Sequence, residues 1–221
     1  MTLDALLDAT VAPLTMSDRI ARALGRMADE GVTHLPVIDE ERRLVTTVGE
    51  SQLLDAEALD PDADLGRLPS AEPVAVTAET HPFEAARLMV SHDLTTVPVV
   101  GEGFEYVGLV RRQQLFNQLA QMLEVAESGA IVEVELGERD YALAQLVHAV
   151  EQNGARVLSL STEPLPEQSV LVTLKLNVGD TARIRAILEH YGYKVSGAFG
   201  EAESEEDIQS RVNEFMRYLE V

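Results

Sequence analysis

Residues 33–38 read Thr-His-Leu-Pro-Val-Ile, and residues 95–100 read Thr-Thr-Val-Pro-Val-Val, 62 positions later. Working outward from this pair, residues 15–54 can be laid over 77–116 without a gap. Eleven of the forty positions are identical, among them Thr15 and Thr77, Met27 and Met89, Thr33 and Thr95, Pro36 and Pro98, Val48 and Val110, and Gln52 and Gln114. The apolar positions between them coincide as well: Leu24 with Ala86, Leu35 with Val97, Ile38 with Val100 and Leu54 with Phe116. Agreement at one fixed period points to a duplicated structural unit.

Each copy carries the same alternation of patterns. In the first, Ser17 is placed to cap a helix whose apolar residues Ile20, Ala23, Leu24, Met27 and Ala28 recur at three- and four-residue spacing up to Gly31. Two strands in hairpin follow, 33–38 and 44–48, and then a short helix from Ser51 to Leu59. In the second, Thr80 or His81 caps, Pro82 takes the first helical position, and Phe83, Ala86, Met89 and Val90 form the expected buried stripe. Strands are predicted at 96–100 and 106–110, and a longer helix at 112–126 presenting Leu115, Leu119, Met122 and Ala126.

After Ser128-Gly129 the order changes to strand, helix, strand, strand, helix, strand, over 130–136, 141–153, 155–161, 170–176, 180–191 and 193–199. That order is the ferredoxin-like plan. Ser204-Glu-Glu-Asp207 then resembles a capping box before an amphipathic tail carrying Ile208, Val212, Phe215, Met216 and Leu219, which would dock on its own domain or on a partner. The expected division is 1–62, 63–128, 129–200 and 201–221.

Composition narrows the function classes. The 221 residues carry a net charge of −21, and only two of the cations, Lys175 and Lys194, are lysines. Such a field repels nucleic acid and anionic membrane, and either solubility or a cation-binding face would account for it. Cysteine is absent, so disulfides and thiolate chemistry are excluded. No apolar stretch is long enough to span a membrane, and the first residues carry no secretory pattern, so a cytoplasmic protein is expected. No nucleophile elbow, phosphate-binding loop or dinucleotide fingerprint occurs, and no enzyme is expected. His81, His92, His148 and His190 lack close ligand spacing, so no metal site is expected.

The repeated strand with its Pro step, its acidic turn and its second strand resembles the cystathionine-β-synthase (CBS) domain. The resemblance implies an α/β (α+β) fold: a tandem CBS pair, a ferredoxin-like βαββαβ domain similar to the ACT domain, and a C-terminal helix. CBS pair followed by ACT resembles the acetoin-utilisation-type regulatory proteins. It implies a homodimeric, non-catalytic sensor whose clefts take an adenine-containing ligand such as AMP, ADP, ATP or S-adenosylmethionine, and whose partner is a regulated enzyme or transporter. By the same resemblance the contacts are Thr15, Thr33, His34, Pro36, Gly49 and Gln52 in one copy, with Thr77, Thr95, Thr96, Pro98, Arg111 and Gln114 in the other.

Departures from the family pattern leave alternatives open. Family members that bind adenosine often end the second strand in Ser or Thr and place a ribose-binding Asp three residues on. Here these positions hold Gly49 and Gln52, and Arg111 and Gln114. An amide bonds a hydroxyl less strongly than a carboxylate does, so a scaffold with degenerate sites is the competing reading. In the ACT-like segment, Arg139-Asp140-Tyr141 stands where a Pro-Gly pair is usual, which weakens amino-acid sensing there. Arg111-Arg112 opens a helix against its dipole, so an anionic ligand would relieve it, as would pairing to Glu102 or Glu105.

Overall fold

The computed structural model describes residues 2–60, 62–69, 71–137 and 142–200. They form two compact units, Met1–Leu119 and Ala120–Val221. The expected tail helix at 204–219 and the Arg139-Asp140-Tyr141 loop lie outside the described residues.

In the first unit the repeat of the sequence is a repeat of structure. The first copy contains β1 (Leu14–Thr15), α1 (Ile20–Glu30), β2 (His34–Ile38), β3 (Leu44–Gly49) and α2 (Glu50–Leu59). The second contains α3 (Pro82–Ser91), β4 (Thr96–Val100), β5 (Tyr106–Arg111) and α4 (Arg112–Met122). β2 and β3 pair antiparallel, as do β4 and β5, and the two hairpins slip register at the same place, between Val37 and Ile38 and between Val99 and Val100. Leu14 lies parallel to Val37, and Val76 lies parallel to Val99. Even the helix stops correspond: Gly31 (φ 63) ends α1, and its equivalent Asp93 (φ 48) takes the same left-handed conformation.

The structural repeat begins earlier than the overlay of 15–54 on 77–116. A 3-10 turn at Leu3–Leu6 matches one at Leu65–Arg67. Each of these turns serves the other copy: Leu3 N–H donates to the Thr80 carbonyl at 3.1 Å, and Leu65 N–H donates to the Asp18 carbonyl at 2.9 Å. Leu3 is buried among Val76, Ala85, Met89 and Val97 of the second copy. Ala63 and Leu65 are buried among Leu14, Ile20, Ala23 and Met27 of the first.

Three local expectations are corrected. Arg19, not Ser17, precedes α1, and the turn is closed by Asp18, whose carboxylate accepts from Thr15 N–H at 2.8 Å. A carboxylate is the stronger acceptor, and Ser17 instead shares its hydroxyl with Thr15 at 3.1 Å. On α3, Phe83 and Val90 are exposed, and Pro82, Ala85 and Met89 face the core. Met89 of the expected stripe is buried and Ala86 packs on the core, but Pro82 and Ala85 take the place of Phe83 and Val90, because Pro82 is itself buried where the helix starts. The His81 cap holds: its Nδ1 accepts from Phe83 N–H at 3.2 Å. Finally, α4 stops at Met122 rather than Ala126, with Glu124 in the left-handed region at φ 51, and Leu115 alone of its residues is buried.

The second unit contains β6 (Ile131–Gly137), α5 (Leu143–Gln152), β7 (Val157–Leu165), β8 (Ser169–Leu176), α6 (Thr181–His190) and β9 (Lys194–Phe199). The sheet order is β7-β8-β6-β9 with every pair antiparallel, which is the ferredoxin-like arrangement. Alternate residues Val132, Val134, Leu136, Val172, Leu174 and Leu176 are buried with Leu146, Val150, Ile184 and Leu188 of the helices. Asp180 caps α6 by accepting from Arg183 N–H at 2.9 Å. Gly129 enters the sheet at φ 152, where any Cβ would collide with the Leu176 carbonyl.

Candidate functional site

The two copies meet where equivalent residues touch each other. Thr33 and Thr95 hydroxyls are 3.2 Å apart, and Thr33 N–H donates to Thr95 Oγ1 at 3.1 Å. Beside them Thr96, wholly buried, donates its hydroxyl to the His34 carbonyl at 2.8 Å. His34 Nδ1 lies 3.1 Å from Thr33 Oγ1 and 3.2 Å from Thr95 Oγ1, and accepts from Thr95 N–H at 3.4 Å. With Nδ1 accepting from a backbone amide, the neutral ring carries its proton on Nε2, the nitrogen turned to Gly49.

A cleft opens on each side of this seam. One, of about 330 Å³, is bordered by Gly49, Ser51 and Gln52 of the first copy and by His92 and Leu94 of the second. The other, of about 600 Å³, is bordered by Arg111, Gln113 and Thr95 of the second copy and by Glu30 and Val32 of the first. Shifting by the repeat length turns one into the other: Gly49 becomes Arg111, Ser51 becomes Gln113, Glu30 becomes His92 and Val32 becomes Leu94.

The Gly49 cleft is open at its strand end. A Cβ on Gly49 would stand 3.2 Å from His34 Nε2, so the glycine gives the ring its place. Thr47, two residues back and on the same face of β3, also borders this cleft. Its hydroxyl is buried without a hydrogen-bond partner, the one such side-chain atom among the described residues. An orphan of this kind carries a desolvation cost, and its burial turns it away from the open space of the cleft. Gln52 borders the same cleft and reaches only the Pro69 carbonyl, at 3.5 Å. Burial pushes the His34 pKa below its usual value, Arg112 lowers it further, and Asp93 and Glu50 oppose the shift.

In the twin cleft the strand-end position is taken. Arg111 donates from Nη2 to the Glu30 carboxylate at 2.6 Å, from Nη1 to the Glu30 carbonyl at 2.5 Å and from Nε to Asp8 at 3.1 Å. Asp8 is fixed in turn by Thr10 and by paired backbone bonds with Leu109. Bonds from Thr10 hold the Asp8 carboxyl below the usual carboxylate range against the opposing effect of burial, with Arg111 adding to the lowering. Arg112 is engaged with Asp93 at 3.0 Å and the Leu94 carbonyl at 2.8 Å. The partners expected for this pair, Glu102 and Glu105, are not the ones used, because strand β5 carries its end to α1 and the N-terminal segment instead.

Of the residues singled out in the sequence, His34, Gly49 and Gln52 border one cleft, and Thr95 and Arg111 border the other. Thr33 and Thr96 lie in the seam between them. Gln114 turns back, and its carbonyl accepts from Arg111 N–H at 3.2 Å, closing the strand-to-helix junction. Pro36 and Pro98 are buried in β2 and β4 opposite Thr47 and Leu109. Thr15, at the end of β1, and Thr77, ahead of α3, are exposed and bonded to Asp18 and Thr80. Sequence reasoning missed Thr47, Glu72, His92, Glu30 and Asp8. The repeat shift applied to the cleft-facing helix ends would have found Glu30 and His92; Asp8 lies before the overlay begins.

A family model described as CBS domain matches residues 6–58 and again residues 64–121. Among curated proteins the chain is 32% identical over 104 residues to the magnesium transporter MgtE of Thermus thermophilus, covering 46% of this chain and 22% of that one. It is 31% identical over 107 residues to inosine-5'-monophosphate dehydrogenase of Korarchaeum cryptofilum, covering 48% and 21%. The chain thus spans about a fifth of the length of the curated relatives it matches. Among solved structures, a CBS domain pair/ACT domain protein of Thermotoga maritima is similar with a TM-score of 0.50 and 24% identity, covering 56% of this chain and 99% of that one.

Proposed function

The chain belongs to the CBS domain family, and from that premise we propose that it is a non-catalytic regulatory protein whose Gly49 cleft binds an adenine-containing metabolite. The single observation carrying this reading is the contrast between the clefts. At one, glycine leaves the strand end open; at its twin, Arg111 fills the same position with its own ion pairs. Of the residues bordering the open cleft, Gln52 and Ser51 offer an amide and a hydroxyl to ribose or base, and Leu94 and Val74 offer apolar cover. AMP, ADP, ATP and S-adenosylmethionine all present such a moiety. For the Arg111 cleft the ion pairs favour the degenerate, scaffold reading.

The mechanism is a shift of population. Ligand bound between the copies bridges α2 and the end of α3, and so favours one packing of the seam. The proposal extends to a homodimer acting on an enzyme or transporter, to the divisions 1–62, 63–128, 129–200 and 201–221, and to an ACT-like role for the ferredoxin-like segment 129–200.

Calorimetric titration of the chain with adenosine, repeated on Gly49→Arg, tests the site. Wild-type protein should bind and Gly49→Arg should not, with unchanged far-ultraviolet dichroism. Equal binding by both would move the site elsewhere.

A further inference from the structure

We infer that the Gly49 cleft selects an adenosine ligand whose tail is uncharged or cationic, and rejects nucleoside di- and triphosphates. The inference rests on the reading above that this cleft takes an adenine nucleoside, and adds the charge class of what is attached to it.

A polyphosphate brings several negative charges that a site must balance with guanidinium, ammonium or metal. Among the described residues bordering the Gly49 cleft there is no lysine and no arginine. Its one carboxylate is that of Glu72, and its other titratable side chains are His34 and His92. Glu50, in the first turn of α2, and Asp93 add negative charge close enough to His34 to act on its charge; Arg112 acts there with the opposite sign but is paired to Asp93. An acidic residue in the first turn also offsets the helix dipole that would otherwise attract a phosphate. His34 does not make up the deficit, since burial disfavours its charged form.

The copy related by the repeat carries cations at the same two positions: Arg111 for the neutral Gly49, and Arg112 for the acidic Glu50. Both guanidinium groups are already bound, to Glu30 and Asp8 and to Asp93. Around a chain of net charge −21, an anion approaching either cleft therefore meets repulsion, and among the described residues bordering the clefts the guanidinium groups are already paired. A sulfonium or a neutral tail meets no such barrier, and Glu72 attracts the former.

The test is calorimetric titration of the full chain with adenosine, S-adenosylmethionine and ATP, slightly above neutral pH, at low ionic strength and without divalent cations. ATP should bind at least about tenfold more weakly than adenosine, and added salt should narrow the gap. Glu72→Gln should narrow it as well. ATP binding as tightly as adenosine, or a gap unmoved by salt and by Glu72→Gln alike, would overturn the charge selection while leaving the adenine reading intact. No binding of any of the three would overturn the adenine reading itself, and this inference with it.

Discussion

The hydroxyls of Thr33 and Thr95, the same residue in two copies of one unit, lie 3.2 Å apart. The axis relating the copies therefore passes between them. Thr95 Oγ1 also accepts from Thr33 N–H. Thr95→Val should leave that amide without its partner and cost about 1–3 kcal/mol, while Thr95→Ser should retain most of the bond. Urea unfolding of both variants checks this. A loss under about 0.5 kcal/mol for the valine variant would mean that water replaces the hydroxyl.

His34 gives a pH dependence. Its folded pKa is lowered by burial, so the unfolded chain binds the proton more readily. Stability should be complete above the ordinary histidine value near 6.5 and fall as pH drops from there toward the lowered folded value. Urea midpoints across the mildly acidic range should decline more steeply for wild type than for His34→Gln. Parallel curves would remove His34 as the cause.

Arg111 holds Glu30 and Asp8 together with 23% of its side chain exposed. Arg111→Met should therefore destabilise by about 1–3 kcal/mol, less than a wholly buried pair because solvent reaches it. In a double-mutant cycle Asp8→Asn should cost less in the Arg111→Met background than in wild type. Strict additivity would show that the pair is ornamental to stability.

Gly129→Ala should disturb the second unit, since its Cβ would meet the Leu176 carbonyl and the residue is held at φ 152. A loss of about 1–3 kcal/mol is expected. Hydrogen exchange should speed up at β6 and β8 and stay unchanged at β2 and β4. Uniform acceleration across all four strands would contradict the division into two units.

What the sequence made legible was whatever repeats with a short period or at a fixed offset. The hairpins, the Gly31 stop, the His81-Pro82 start and the ferredoxin-like order came from periodicity and caps, which are local. The stripe of α3 was legible in part: Ala86 and Met89 pack on the core, but Phe83 and Val90 are as apolar as the residues that face inward, and only the burial of Pro82 sets the rotation. The site was half legible. The overlay located Gly49, Gln52, Arg111 and Gln114 as equivalents, but not that one pair borders an open cleft and the other does not. That difference depends on Asp8 and Glu30, which reach Arg111 across 103 and 81 residues of chain. No pattern within one copy encodes such a contact.

The crossed opening turns carry a consequence for the molecule's origin and behaviour. A copy expressed alone would bare Ala23, Met27 and their neighbours, which Ala63 and Leu65 of its twin now cover. It would regain that cover from a second polypeptide of the same kind, each lending the other its first turn. The covalent chain is thus a tethered dimer of an intertwined unit. The short connection between Leu59 and Ala63 holds the partners at an effective concentration in the millimolar range, on the order expected for a short linker. Cutting that connection should convert folding from a first-order into a concentration-dependent reaction.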